Sequence, residues 1–263
     1  MDYQKIVFEN DKGQKISARL DLPVDGKITA VAVFAHCFTC TKNFKSVVYI
    51  NRALSQEGIA SLRFDFTGLG ESEGDFADTN FTTNVADLVS AAKHLETHFE
   101  PPKLLIGHSL GGAAVLRAAE HIPSCTAIAT IAAPSEAAHL MGLLGRARDT
   151  IEQQGEADIT LAGRPFKITR QFLDDLERTR MRQGIANLKK ALLLFHSPAD
   201  TIVGIENACQ IFEAAQHPKS FISLGDADHL LSRREDSEYV GAVLAAWSRK
   251  YLGDSERQNA DEE

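Results

Sequence analysis

A chain of 263 residues with 44% apolar content can bury a sizeable core and is of the usual size for one α/β domain carrying an insertion. Its net charge of −8, the absence of a basic stretch and the absence of any apolar run of membrane-spanning length argue against nucleic acid and the membrane as partners. Four cysteines are too few for a disulfide framework and the first residues lack a signal-like apolar stretch, so free thiols and a cytoplasmic location are expected.

Residues 6–9 and 15–22 alternate apolar and polar about Asp11-Lys12-Gly13 and predict an antiparallel hairpin at a sheet edge. Residues 29–36 (TAVAVFAH) are nearly all apolar, as in a strand covered on both faces, and 45–56 have helical spacing before Gly58. A strand over 59–66 runs into a glycine- and acid-rich loop, 67–78, in which Asp65 is expected to order the glycines. A long helix over 81–98 follows, then a short buried strand at 104–106 and a helix over 110–120. Strands at 126–133, 192–195 and 220–224, with helices over 205–215 and 239–251, complete eight strand candidates in a β-α alternation. That pattern predicts a mostly parallel sheet with helices on both faces. Residues 134–185 break the rhythm: a helical run at 137–144, an exposed hairpin over 158–168 turning at Gly163-Arg164-Pro165, and a charged helix over 169–182. They are expected to form a cap inserted into a core of 1–133 and 186–252, with 253–263 as an acidic disordered tail or linker.

Between the strand at 104–106 and its helix lies Gly107-His108-Ser109-Leu110-Gly111, a G-x-S-x-G at a strand-to-helix bend, which exposes a serine hydroxyl. A second copy, Gly70-Glu71-Ser72-Glu73-Gly74, has no helix directly after it and is flanked by glutamates, which oppose an alkoxide; Ser72 is expected to be a loop residue. A serine hydroxyl needs a base, and the base needs an orienting acid. Asp200 follows the strand at 192–195, and His229 follows the strand at 220–224, so Ser109, Asp200 and His229 are the candidate catalytic residues. Asp226 and Asp228 compete as the acid but fit a turn around Gly225, and His217 enters its strand at the wrong end. His36, His108 and His196 are expected to be structural. The oxyanion donors would be the N–H of Leu110 and that of Phe38, in the loop after the strand at 29–36. Cys37-Phe38-Thr39-Cys40 is a C-x-x-C, but no second pair supplies a zinc set, so it is read as small side chains in that loop and no metal or organic cofactor is expected.

At these motifs the chain resembles the α/β-hydrolase superfamily and, more narrowly, the serine hydrolases found fused to OsmC-type peroxidase domains. The matching stretches are FAHCFTC, LRFDFTGLGESEGDFADTNF, LLIGHSLGGAAVL, LAGRPFKI, HSPADTIVGIENA and DADHLLSR. The resemblance implies an α/β-hydrolase fold with Ser109, Asp200 and His229 as its triad and Phe38 and Leu110 as its oxyanion donors; the expected activity is a carboxylic ester hydrolase acting on small molecules, and the apolar character of the candidate lining suggests short to medium acyl chains. Phe38, Leu140, Met141, Leu144 and Phe172 are candidate substrate lining. A thioesterase or peptidase with the same three residues is the alternative within enzymes. A non-catalytic scaffold for an OsmC-type domain is the alternative outside them, and that domain or a second copy of the chain is the candidate protein partner.

Overall fold

The computed structural model describes residues 2–38, 40–161 and 163–253. Strands β1 (Tyr3–Glu9) and β2 (Lys15–Asp21) form the edge hairpin, with β1 starting three residues earlier than its alternation suggests. There follow β3 (Ala30–Ala35), α1 (Lys45–Gln56), β4 (Ile59–Phe64), α2 (Phe81–His98), β5 (Leu104–His108), α3 (Leu110–Ala118) and β6 (Ala127–Ile131). Helix α2 starts where it does because Asn80 and Thr83 cap each other reciprocally, side chain to backbone N–H.

Between β6 and the next strand of the main sheet lie α4 (His139–Leu143), α5 (Arg146–Gln154), β7 (Glu156–Leu161), β8 (Arg164–Thr169), α6 (Arg170–Arg178) and α7 (Arg182–Ala186). Three expectations are corrected here. The helical run at 137–144 is shorter, and α5, too polar to be noticed, follows it. The hairpin closes between Leu161 and Arg164, so Arg164 and Pro165 pair within β8, opposite Leu161 and Thr160, and are not in its turn. The charged helix breaks at Thr179, whose backbone is extended and whose hydroxyl donates to the Asp175 carbonyl, leaving α6 and α7 as separate helices. The chain ends with β9 (Ala191–His196), α8 (Glu206–Ala214), β10 (Lys219–Ser223) and α9 (Arg234–Leu252). Residues 254–263, most of the expected acidic tail, lie outside the described residues. No helix among the described residues is long and apolar enough to cross a membrane.

The eight-stranded sheet has the order β1-β2-β4-β3-β5-β6-β9-β10. The pairs β1–β2 and β2–β4 are antiparallel, and every other pair is parallel. This is the α/β-hydrolase fold. Its middle strands β3, β4, β5, β6 and β9 are buried at every position, which is why they read as continuous apolar runs. Alternate residues feed two cores. Val31, Val33 and Ala35 of β3 point to the side of α2 and α3, while Ala30, Ala32 and Phe34 point to α1 and α9.

The 134–185 segment shares the first core through Leu140, Ile151, Ile168, Phe172, Leu176 and Ile185. It is also pinned to the start of α2: the Asp175 carboxylate accepts from the Thr82 N–H (2.8 Å) and hydroxyl (2.6 Å). A parallel sheet puts all its strand C-terminal ends on one rim. The chain crossing from β3, the bend after β5 and the loops after β9 and β10 therefore open on the same side.

Candidate active site

β5 delivers the chain to Ser109, whose backbone lies at φ 54°, ψ −121°. A side chain other than glycine at positive φ costs on the order of 1–3 kcal/mol, so neighbouring contacts must hold it there. The Ser109 N–H donates to Ile131 O of β6 at 2.8 Å, and its carbonyl accepts from Gly112 N at 2.8 Å. Two glycines make the bend possible by close approach. A Cβ on Gly107 would stand 2.2 Å from Gly111 O, and one on Gly111 would stand 2.4 Å from Ala35 O. The second contact presses the start of α3 against the end of β3 and the loop that follows it.

The structure brings the three distant candidates together. Ser109 Oγ lies 2.9 Å from His229 Nε2, and His229 Nδ1 lies 2.7 Å from Asp200 Oδ2. Asp200 Oδ1 accepts from the backbone N–H groups of Ile202 (2.9 Å) and Val203 (3.0 Å). Burial opposes charge on Asp200, but the His229 N–H and these two amides outweigh it and hold the carboxyl below the usual carboxylate range. A carboxylate kept ionised in this way fixes the Nδ1–H tautomer of His229 and leaves Nε2 as an acceptor facing the serine hydroxyl.

Two other histidines do more than end strands. His108 Nε2 lies 2.7 Å from the His229 carbonyl, and His196 Nε2 lies 2.7 Å from the Val203 carbonyl. Each ring nitrogen donates and pins the loop that carries a candidate residue. Burial pushes His108 down to about 4, and burial likewise lowers His196, so both are neutral donors near pH 7. Sequence order pointed only to their proximity; the pairing itself has no local signature.

The rival residues are accounted for elsewhere. Ser72 donates to Asp65 O (2.6 Å) and accepts from Ser17 N (2.9 Å), which makes it an anchor between the glycine loop and β2. Asp226 is exposed and paired with Arg233. Asp228 Oδ1 accepts from Ser232 N and closes a turn.

Leu110 is the first residue of α3, so its N–H has no intrahelical acceptor. Phe38 lies in the loop between β3 and α1. That loop corrects the expectation of free thiols throughout: Cys37 and Cys40 form a disulfide. A turn in which Cys40 N donates to Cys37 O brings their Cα atoms to 5.3 Å, within bridging range. Cys125 and Cys209 are free. No group of three or more His, Cys, Asp or Glu side chains suited to a metal ion occurs among the described residues.

Of the candidate lining, the Phe38 ring packs 5.4 Å from that of Phe172, joining the loop after β3 to α6. Leu140 and Leu144 are buried in the same apolar cluster, and Met141 is packed against it. Sequence reading missed Phe76 and Phe166. Phe76 packs 5.6 Å from Phe38 and 4.9 Å from Phe166, so the hairpin of β7 and β8 reaches the aromatic group around Phe38. The signal available was their apolar character in otherwise polar stretches.

The family model described as the alpha/beta hydrolase family matches residues 32–252. The crystal structure of the esterase domain of a Rhodothermus marinus protein is 52% identical, covers 96% of this chain and 100% of its own, and superposes with a TM-score of 0.80. Est1E of Butyrivibrio proteoclasticus, solved with bound ferulic acid, shares the fold at 21% identity, with a TM-score of 0.82 over 94% of this chain and 99% of its own. The mitochondrial palmitoyl-protein thioesterase ABHD10 of Mus musculus is 26% identical over 214 residues, 78% of this chain and 70% of its own.

Proposed function

The chain belongs to the alpha/beta hydrolase family, and from that premise we propose that it is a serine hydrolase cleaving carboxylic esters of small molecules with short to medium acyl chains. The observation that carries the reading is the unbroken hydrogen-bond path from Ser109 through His229 to Asp200, three residues drawn from separate strand ends. Its support from outside the chain is the Rhodothermus marinus esterase domain.

In this mechanism Ser109 Oγ attacks the acyl carbonyl carbon while His229 Nε2 takes its proton. The carbonyl π electrons move onto oxygen, and the N–H groups of Leu110 and Phe38 receive that oxyanion. Preorganised donors of this kind are each worth about 2.7–4 kcal/mol. Collapse of the intermediate breaks the bond to the alkoxy oxygen, which takes the proton from His229 and leaves as alcohol. Water, deprotonated by the same imidazole, then adds to the acyl-enzyme, and the acid is released with Ser109 restored. Asp200 keeps its charge throughout and stabilises the imidazolium. Residues 134–185 act as a cap whose Phe172, with Phe38, Leu140, Met141 and Leu144, sets the length of acyl chain accepted.

Thioester cleavage is a second reading, favoured by the mouse relative described as a palmitoyl-protein thioesterase. Its steps are the same with sulfur as the leaving atom. A fluorophosphonate probe is expected to label the protein, to lose its label in Ser109→Ala and to keep it in Ser72→Ala. p-Nitrophenyl esters from acetate to octanoate, matched thioesters and peptides then rank the substrates. No label on the wild-type protein would remove the enzyme reading and leave a scaffold for an OsmC-type domain in its place.

A further inference from the structure

We infer that Lys42 is a positioning residue of the oxyanion hole, a buried ammonium that holds the loop carrying the Phe38 N–H; the inference rests on the role given to that N–H above. Lysine is among the residues least often buried, yet Lys42 is only 4% exposed and lies four residues past Phe38. A desolvated ammonium persists only where partners surround it. Here they grip the chain as well as the charge.

The Lys42 N–H donates to Asp65 Oδ1 at 2.7 Å, and its Nζ donates to Asp65 Oδ2 at 2.5 Å, so one carboxylate holds both backbone and side chain. The Lys42 carbonyl accepts from Arg63 Nη1. Nζ also reaches Glu71 Oε2 at 2.7 Å.

The groups that grip Lys42 are themselves fixed. Arg63 belongs to β4, and Asp65 follows its last residue by one position; both are 1% exposed. Strand β4 pairs in parallel with β3, the strand that leads into the loop. Arg63 Nε binds Asp21 Oδ2 at 2.6 Å, and Asp21 Oδ1 accepts from Arg19 Nε at 2.9 Å, so the chain of charges runs back into β2. Asp65 Oδ2 also accepts from Glu71 N at 3.0 Å, which ties in the glycine loop.

The near end of the loop is held separately. The Cys37–Cys40 bridge closes it, and His36 Nδ1 lies 2.8 Å from Cys37 O. Phe38 thus sits inside a covalently closed turn, with an ionic clamp directly after it. A backbone N–H stabilises an oxyanion only if it already points at the place where the charge develops. A loop without regular hydrogen bonding gains that fixity from its anchors, and Lys42, with Asn43 Oδ1 accepting from Arg63 Nη1 beside it, joins the loop to the sheet.

The test uses Lys42→Met, Lys42→Gln and Asp65→Asn in the full chain, with active sites counted by the fluorophosphonate burst. Per titrated site, kcat for p-nitrophenyl butyrate is expected to fall about 10- to 100-fold with KM within about twofold, the range between a displaced and a missing donor. The affinity of an aliphatic trifluoromethyl ketone, whose hemiketal places an oxyanion in the hole, is expected to fall by the same factor, while butyrate binding is unchanged. A purely structural role would lower the number of titrated sites or the Tm and leave the remaining sites at wild-type rate. That result, unchanged ketone affinity, or failure of all three variants to fold would overturn the inference. A wild-type protein that neither reacts with the probe nor turns over any ester is a different failure, that of the hydrolase reading itself.

Discussion

Replacing Asp200 with Asn changes one oxygen to an NH2 and removes one charge at nearly constant shape. Oδ1 of Asp200 serves the Ile202 and Val203 amides, so the carboxamide oxygen is held there and the new NH2 faces His229. An NH2 at that position donates to Nδ1, which moves the ring proton to Nε2 and leaves no acceptor for the Ser109 hydroxyl. The variant also loses the attraction of the carboxylate for the imidazolium. At the observed 2.7 Å and an effective dielectric of about 20, that attraction is about 6 kcal/mol, an upper bound because solvent relaxes around the site. In another enzyme with this arrangement, the same exchange lowers kcat by about 10⁴-fold. The expected result for Asp200→Asn is a kcat lower by about 10³- to 10⁴-fold, or about 4–5.5 kcal/mol, with KM within about threefold. Steady-state hydrolysis of p-nitrophenyl butyrate measures it, and the rate of fluorophosphonate labelling should fall in parallel. A variant that folds and keeps more than a tenth of the wild-type kcat would refute the reasoning, since His229 would then need no orienting carboxylate.

The buried histidines make stability fall on acidification. Burial holds His36 and His108 at about 4 in the folded protein against an ordinary value of 6.5, so the unfolded chain takes up their protons first as pH drops. Stability from this source is present above about 6.5 and is lost progressively toward about 4. At pH 5 each group contributes about 2 kcal/mol of destabilisation, with Asp87, whose carboxyl burial raises, working in the opposite sense. Urea unfolding at pH 7 and pH 5 should show the loss, reduced by about 2 kcal/mol in His36→Gln; an equal loss in that variant would contradict the assignment. The cysteines offer a simpler check. Alkylation in denaturant should modify two of them, Cys125 and Cys209, before reduction and four after it, and four adducts without reductant would disprove the bridge. In the native protein the exposed Cys209 should react first, because burial pushes the Cys125 thiol up to about 11.

Much of the frame was visible before any coordinates. The run TAVAVFAH became β3, the helix expected over 81–98 is α2 to the residue, and the order Ser109, Asp200, His229 matched three strand ends. The least legible part was 134–185. Its polar helix α5 buries only Ile151 and so offers little apolar pattern, and the break at Thr179 lies in an extended backbone conformation that no composition window registers.

Local pattern therefore determined which segments would be strands or helices, that Ser109 would sit at a strand-to-helix bend, and the order of the groups along the chain; it did not show that Ser109 would be only 8% exposed. These follow from interactions between residues a few positions apart, where periodicity and turn sterics act. Tertiary structure alone decided the strand order and the burial of Lys42 and Arg63 as a clamp between the loop after β3 and the sheet. Arg63 reaches Asp21 across 42 positions, and His108 reaches the His229 carbonyl across 121. Whether a buried charge or ring finds its partner over such a separation depends on which strands lie side by side, and no local period records that.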